Sequence, residues 1–184
     1  MNQTIVADLI QRSRQNDLEA FRTLVDTHQS FVFSVAFRLL CDEDNAKDAA
    51  QETFIRVWKH INRFNVEMRF TTWLYKIVTN ICYDQIKSEK RRNNHEMSKI
   101  ENSVLSNIAS GENIETSLIN SDMAVFIRFL TNQLTPKQKL VFTLRELEGL
   151  EVEEIIEITG LSSEKIKSNL YCARQTIREK LEKM

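Results

Sequence analysis

Three glycines and a single proline in 184 residues are too few for a sandwich or barrel, folds that need a turn signal every several residues. They leave an all-helical protein as the expectation. Cysteine is scarce too: Cys41, Cys82 and Cys172 are widely separated and odd in number, which fits neither a disulfide framework nor zinc-ligand spacing and points to a reducing cytoplasm. His28, His60 and His95 show no metal pairing and read as surface or boundary residues, so no metal or other cofactor is expected. No apolar run approaches the roughly 20 residues that span a bilayer, and the polar start MNQTIVADLIQRSRQND is not a signal peptide. An excess of one charge sign is also missing. With a net charge of -1, any nucleic-acid contact must come from local patches.

What is present is globular: 42% hydrophobic and 28% charged residues, enough for one medium domain or two small ones. Amphipathic periodicity predicts helices over residues 5–14, 18–28, 31–40, 44–62 and 71–90, with Asp42 or Asp44 as a cap, forming an N-terminal bundle over residues 1–92. Residues 93–120 are rich in Asn, Ser and Glu and read as a flexible linker. A helix resumes near Asp122, where Val125, Phe126, Phe129 and Leu130 form a stripe able to pack on the downstream helices, in a second domain over 121–184.

That second domain carries the start, stop and turn signals of a helix-turn-helix. Thr135, Pro136 and Gln138 form a capping box with proline in the first turn, and Gly149 can end the helix in the left-handed conformation. A short helix from about Glu151 to Thr159 buries Val152, Ile155 and Ile156. Gly160 turns the chain, and Ser162 caps a longer helix whose buried stripe is Ile166, Leu170, Ala173, Ile177 and Leu181. Opposite that stripe lie Glu164, Ser168, Tyr171 and Gln175, flanked by Lys165, Lys167 and Arg178. Cations and short polar groups on one exposed helix face suit phosphates and the base edges of a major groove.

Two faces of the N-terminal bundle also stand out. On the helix over residues 44–62, Asp48, Gln51, Glu52, Ile55 and Lys59 share a polar face holding an exposed isoleucine, which fits either partner docking or a solvated surface. On the next helix, Lys76, Asn80, Tyr83 and Lys87 line one face with Trp73 at its edge, and Lys90, Arg91 and Arg92 extend the positive charge. Aromatics interleaved with cations suit single-stranded nucleic acid, since unpaired bases stack on rings while cations follow the phosphates. The alternative is that Trp73, and less so Tyr83, finishes the core.

The blocks DAAQETFIRVWKHINRF and FTTWLYKIVTNICYDQIKSEKRR closely resemble the second region of bacterial sigma factors of the extracytoplasmic-function (ECF) group. LTPKQKLVFTLRELEGLEVEEIIEITGLSSEKIKSNLYCAR resembles their fourth region. The resemblance implies a sigma factor, not an enzyme, that binds core RNA polymerase through its β and β′ subunits and directs initiation at promoters. Asp48, Gln51, Glu52 and Ile55 would dock on polymerase. Asn62, Arg63, Phe64, Trp73, Lys76, Asn80, Tyr83, Lys87, Arg91 and Arg92 would melt and hold the −10 element. Ser162, Ser163, Glu164, Lys165, Lys167, Ser168, Tyr171, Arg174, Gln175 and Arg178 would read the −35 element. An anti-sigma factor, often membrane-anchored in this group, is implied by resemblance alone. Asn169 and Cys172 depart from the pattern, standing where many relatives carry arginine, and Lys165 replaces a frequent small hydroxyl residue.

Two rival readings differ in class. A regulator binding a palindromic duplex as a dimer would use the same helix-turn-helix but would not need the single-strand face or the polar face of 48–55. An enzyme or small-molecule site finds no support, because the sequence has no phosphate loop, metal-ligand cluster, carboxylate–histidine pairing or nucleophile motif.

Overall fold

The computed structural model describes residues 3–96 and 125–183, and all regular structure among them is helical. Helix α1 (Gln3–Arg14) ends at Asn16, whose φ is 64°; Asp17 then caps α2 (Leu18–Leu40) by accepting from the amides of Glu19 and Ala20, each at 3.0 Å. α2 is one helix where the periodicity predicts two. Gln29 and Ser30 interrupt the apolar pattern, but neither is a breaker, and the backbone runs straight through them. Cys41 ends it in the left-handed conformation, and Asp42 caps α3 (Glu43–His60) through Asn45 N at 3.0 Å. A single 3-10 turn, Ile61–Arg63, leads to α4 (Phe70–Glu96).

α4 continues past residue 92, so the first residues of the expected linker are helical. Residues 97–120 of that linker and the helix start near Asp122 lie outside the described residues. α5 covers 125–131; α6 (Pro136–Phe142) continues as a π turn, Thr143–Leu147; α7 (Val152–Thr159) and α8 (Ser163–Leu181) complete the helix-turn-helix. The local signals act as read: Thr135 Oγ1 accepts from Gln138 N at 3.3 Å and Gln138 Oε1 from Thr135 N at 2.8 Å, Gly160 takes φ 69°, and Ser162 caps α8.

The two halves share one core. Leu24, Val32, Leu39, Val57, Leu74 and Val78 are fully buried in a cluster continuous with Val141, Leu144, Ile155 and Ile166, each such side chain contributing about 2 kcal/mol by leaving water. A second cluster joins Leu134, Ala173 and Ile177, with Leu130 packed against it. Of the expected α5 stripe only Leu130 packs there. Val125, Phe126 and Phe129 are 63%, 43% and 40% exposed, and of the three the Phe129 ring is met by Lys180 Nζ at 4.1 Å. Leu181 is likewise 47% exposed, whereas His28 is buried, its Nδ1 donating to Leu24 O at 2.8 Å and its ring edge-on to Phe70.

Polar groups fasten the halves at the π turn. This wider turn closes with Glu148 N donating to Thr143 O at 3.0 Å and leaves the Glu148 side chain only 5% exposed. Its Oε1 accepts from Arg38 at 2.7 Å and its Oε2 from the Tyr75 hydroxyl at 3.0 Å. Burial and the neighbouring Glu148 carboxylate hold the Tyr75 phenol well above its ordinary range, so it stays a donor. Lys90 donates to Leu134 O at 3.0 Å, and Arg128 donates to Cys41 O while lying 3.6 Å from Asp42.

Candidate polymerase and nucleic-acid interfaces

The polar face of α3 is real and is the ridge between two grooves. Asp48, Gln51 and Ile55 are exposed, and Glu52 is half-buried in an ion pair with Arg56 at 2.7 Å. On one side these four residues, with Arg56, Ile81, Asp84 and Gln85, line a groove of about 510 Å³ against α4. The Gln85 Oε1 at its floor is buried without a hydrogen-bond partner in the chain, an acceptor a docking donor could fill. On the other side Gln51 and Ile55 border a larger apolar groove of about 840 Å³ between α2 and α3, walled by Phe21, Val25, Phe33, Phe54 and Trp58. Sequence periodicity found the ridge but neither groove, since a groove is a property of two helices. Asp84 and Gln85 lie one turn from Ile81 on α4, the one local signal that could have located them.

The −10 residues divide. Arg63, Trp73 and Asn80 converge with Arg56, His60 and Ile77 on a pocket of about 300 Å³. Arg56, His60 and Arg63 were missed as a set, although their spacing already puts them on one face. Asn62 is exposed beside this pocket, and Lys76 is half-buried on α4. Phe64 is a correction. It is 6% exposed, its ring 4.9 Å from Trp73 and 5.7 Å from Phe70, so it cannot stack on a base and instead props Trp73 from behind. Arg14 fixes the turn on which this rests, donating to Ile61 O at 3.2 Å and to Phe64 O. It is a positioning residue with no signal in sequence.

Tyr83, Lys87 and Arg91 face elsewhere. With Lys90 they line a second cleft, about 480 Å³, whose opposite wall is Thr135, Pro136, Lys137 and Asn169. Tyr83 is half-buried against the shared core, the structural role left open by its sequence. Arg92 is exposed at the end of this row.

On α8 the outward face forms as expected. Ser162, Glu164, Lys165, Lys167, Ser168, Tyr171, Gln175 and Arg178 are exposed and Ser163 is half-buried. Tyr171, 63% exposed, accepts from Gln175 at 3.0 Å. The Glu164 carboxylate is held below its usual range by its own backbone amide and the Ser162 hydroxyl, which stabilises its charge at the helix start. Arg174 is less free than its position implies: its Nη2 and Nε lie 2.6 and 3.1 Å from Glu146 Oε1, which ties α8 to the π turn.

Among the described residues no helix is long and apolar enough to cross a membrane. Sequence and fold comparison place this arrangement. The profile of sigma-70 region 2 matches residues 24–92, and that of sigma-70 region 4 matches residues 127–177. The ECF RNA polymerase sigma-E factor of Haemophilus influenzae is 30% identical over 178 residues, covering 95% of this chain and 94% of that one. The ECF RNA polymerase sigma factor SigW of Bacillus subtilis is 27% identical over 176 residues, covering 94% of each. In fold, the chain resembles CnrH, solved with the cytosolic domain of CnrY, at TM-score 0.67 and 17% identity over 97% of both chains. It also resembles the sigma factor RpoE of Bartonella quintana, solved with the anti-sigma factor NepR, at TM-score 0.62 and 23% identity over 88% of this chain and 96% of that one. A helix-turn-helix behind a helical bundle, matched in order along nearly the whole chain, makes this protein a member of the ECF RNA polymerase sigma factors.

Proposed function

We propose that this sigma factor grips a promoter at two places while bound to core RNA polymerase. The ridge Asp48, Gln51, Glu52 and Ile55 docks on polymerase, the bundle over residues 1–92 opens the −10 element, and α8 reads the −35 element within the domain over 121–184. The observation that carries the reading is the pocket walled by Trp73, Arg63 and Asn80. A ring, an amide and a guanidinium are what a flipped base needs for stacking, edge recognition and phosphate support. Its capture offsets an unstacking cost of a few kcal/mol.

The protein catalyses nothing itself; strand separation is driven by binding free energy, and the chain works in the cytoplasm with polymerase. Weak intrinsic affinity for DNA suits this role, since polymerase holds both grips at fixed spacing and supplies the effective concentration. An anti-sigma factor is the expected antagonist, a reading supported by the similar fold of RpoE solved with the anti-sigma factor NepR. Transcription in vitro with core polymerase over a library of promoters tests the assignment. Selective initiation at one motif with two conserved boxes is expected, and initiation no different from core alone would refute it.

A further inference from the structure

The cleft of about 480 Å³ between α4 and the second half carries four cations on its walls and, among the described residues, no acid. Lys87, Lys90 and Arg91 come from α4 and Lys137 from the first turn of α6. Among the described residues none of the four is ion-paired, and Asp84, the acid one turn before Lys87, lines the docking groove instead. Lys90 gives one of its three donors to Leu134 O at 3.0 Å and keeps two. The whole chain has a net charge of -1, so this concentration of positive charge is local and made by the fold. Like charges held close together repel, and an anion placed among them relieves that cost.

The other groups in the cleft say which anion. Its volume lies in the range of about 300–1,000 Å³ usual for small-molecule sites. Tyr83, half-buried against the core, and Pro136 on the facing wall are apolar surfaces against which a flat ring packs. Asn169 of α8 donates through Nδ2 to Lys165 O at 2.7 Å, which leaves its amide oxygen to accept from a ring edge. A single strand tracking α4 would need only the row on that helix. Lys137 and Asn169 add a second wall, which encloses a small molecule from two sides. We propose that this cleft binds a nucleoside triphosphate, its phosphates among Lys87, Lys90, Arg91 and Lys137, its base against Tyr83 and Pro136, and an edge N–H donating to Asn169. Guanine presents two adjacent donors on that edge, so GTP is the probe. No acid is present to hold a divalent cation, and the phosphates are neutralised by the side chains directly. Tyr83, Lys87 and Arg91 are also assigned above to the −10 strand, so nucleotide and strand compete for α4.

Calorimetric titration of the full-length chain with GTP, in buffer free of divalent cations, tests this. One site per chain is expected, with affinity falling as salt is raised. Guanosine and inorganic tripolyphosphate should each bind about tenfold more weakly than GTP, since each lacks half of the contacts. Lys137 and Asn169 are assigned no promoter contact, and Lys137 is exposed, so their variants isolate the cleft. Lys137→Glu should weaken GTP about tenfold and Asn169→Ala a few-fold. Lys183→Glu, the same charge change at an exposed position near the C-terminus, should leave the titration unchanged; circular dichroism verifies folding of all three. Absence of saturable GTP binding, binding undiminished in Lys137→Glu, or an equal loss in Lys183→Glu would each overturn the proposal. Tripolyphosphate binding as tightly as GTP would overturn the nucleoside assignment. A −10 single strand that loses as much affinity as GTP in Lys137→Glu would give the cleft to DNA and overturn it as well.

Discussion

The N-terminal half offers hollows and the C-terminal half a projection. α2, α3 and α4 are long and pack side by side, which leaves the grooves flanking Ile55 and the pocket beside Trp73 between them. α8 instead buries a narrow stripe and presents a convex, polar face. The contrast suits the ligands proposed above. An extruded base must be enclosed from several sides, while base edges in a duplex are reached by a single helix entering the groove. Enclosure requires several helices held in fixed register, and among the described residues the aromatic cluster of Phe64, Phe70 and Trp73 lies in the first half.

The largest effect should come from the ridge that belongs to neither DNA grip. Reversing Asp48 and Glu52 to arginine is expected to abolish copurification with core polymerase while leaving the helical circular dichroism intact, as both side chains are at the surface. Retained copurification would remove α3 from the docking account. Next comes the question of whether the halves are energetically separate. Leu24→Ala and Ile166→Ala, at fully buried positions in opposite halves, should each cost about 3 kcal/mol. Both tryptophans, Trp58 and Trp73, lie in the first half, so fluorescence sees that half and far-ultraviolet circular dichroism sees both. With one continuous core the two probes should report a single transition in either variant. Divergent midpoints would break the molecule into two independent bodies.

A smaller pair of changes sharpens hollow against projection. Asn80→Ala should slow promoter opening about tenfold, a loss of about 1.4 kcal/mol, with closed-complex affinity unchanged; permanganate reactivity of −10 thymines measures it. Lys167→Ala should do the reverse, weakening initial binding a few-fold and lowering the slope of log affinity against log salt by about 1. The smallest effect is expected from His28. Burial lowers its proton affinity in the folded chain, so the folded state binds fewer protons than the unfolded one. Its contribution is complete above the ordinary histidine value of about 6.5 and is lost as pH falls through it. His28→Gln should flatten the loss of stability between about pH 7 and pH 5, read from denaturant midpoints.

Features decided within a few residues were legible in the sequence. The Thr135–Gln138 box, the Gly160 turn and the Ser162 cap are local hydrogen-bond arithmetic, and each stands where periodicity and composition put it. Patterns that depend on a distant partner were not. Gln29 and Ser30 read as a break because their helix has no apolar period there, yet α2 is carried through by packing on both sides. Phe64 belonged to the DNA-facing stretch by position and turned inward because Phe70 and Trp73 offered it more buried contact than solvent could. Glu148 carried no signal at all. A glutamate near a helix end is ordinary, and only the fold brings it to Arg38 and Tyr75, 110 and 73 residues away.

The narrow stripe of α8 has a further consequence. Ile166, Leu170, Ala173 and Ile177 form the buried stripe that fixes the helix to the body, and Arg174 adds a tie to Glu146 from the outward face, so the anchoring residues and the proposed reading residues overlap at Arg174. Outward positions other than Arg174 can therefore be exchanged at little cost to folding, and exposed Cys172 is one of them. If α8 reads promoters as proposed, new preferences are then reachable by single substitutions that leave a stable protein, and the set of promoters served can change while the rest of the chain stays fixed.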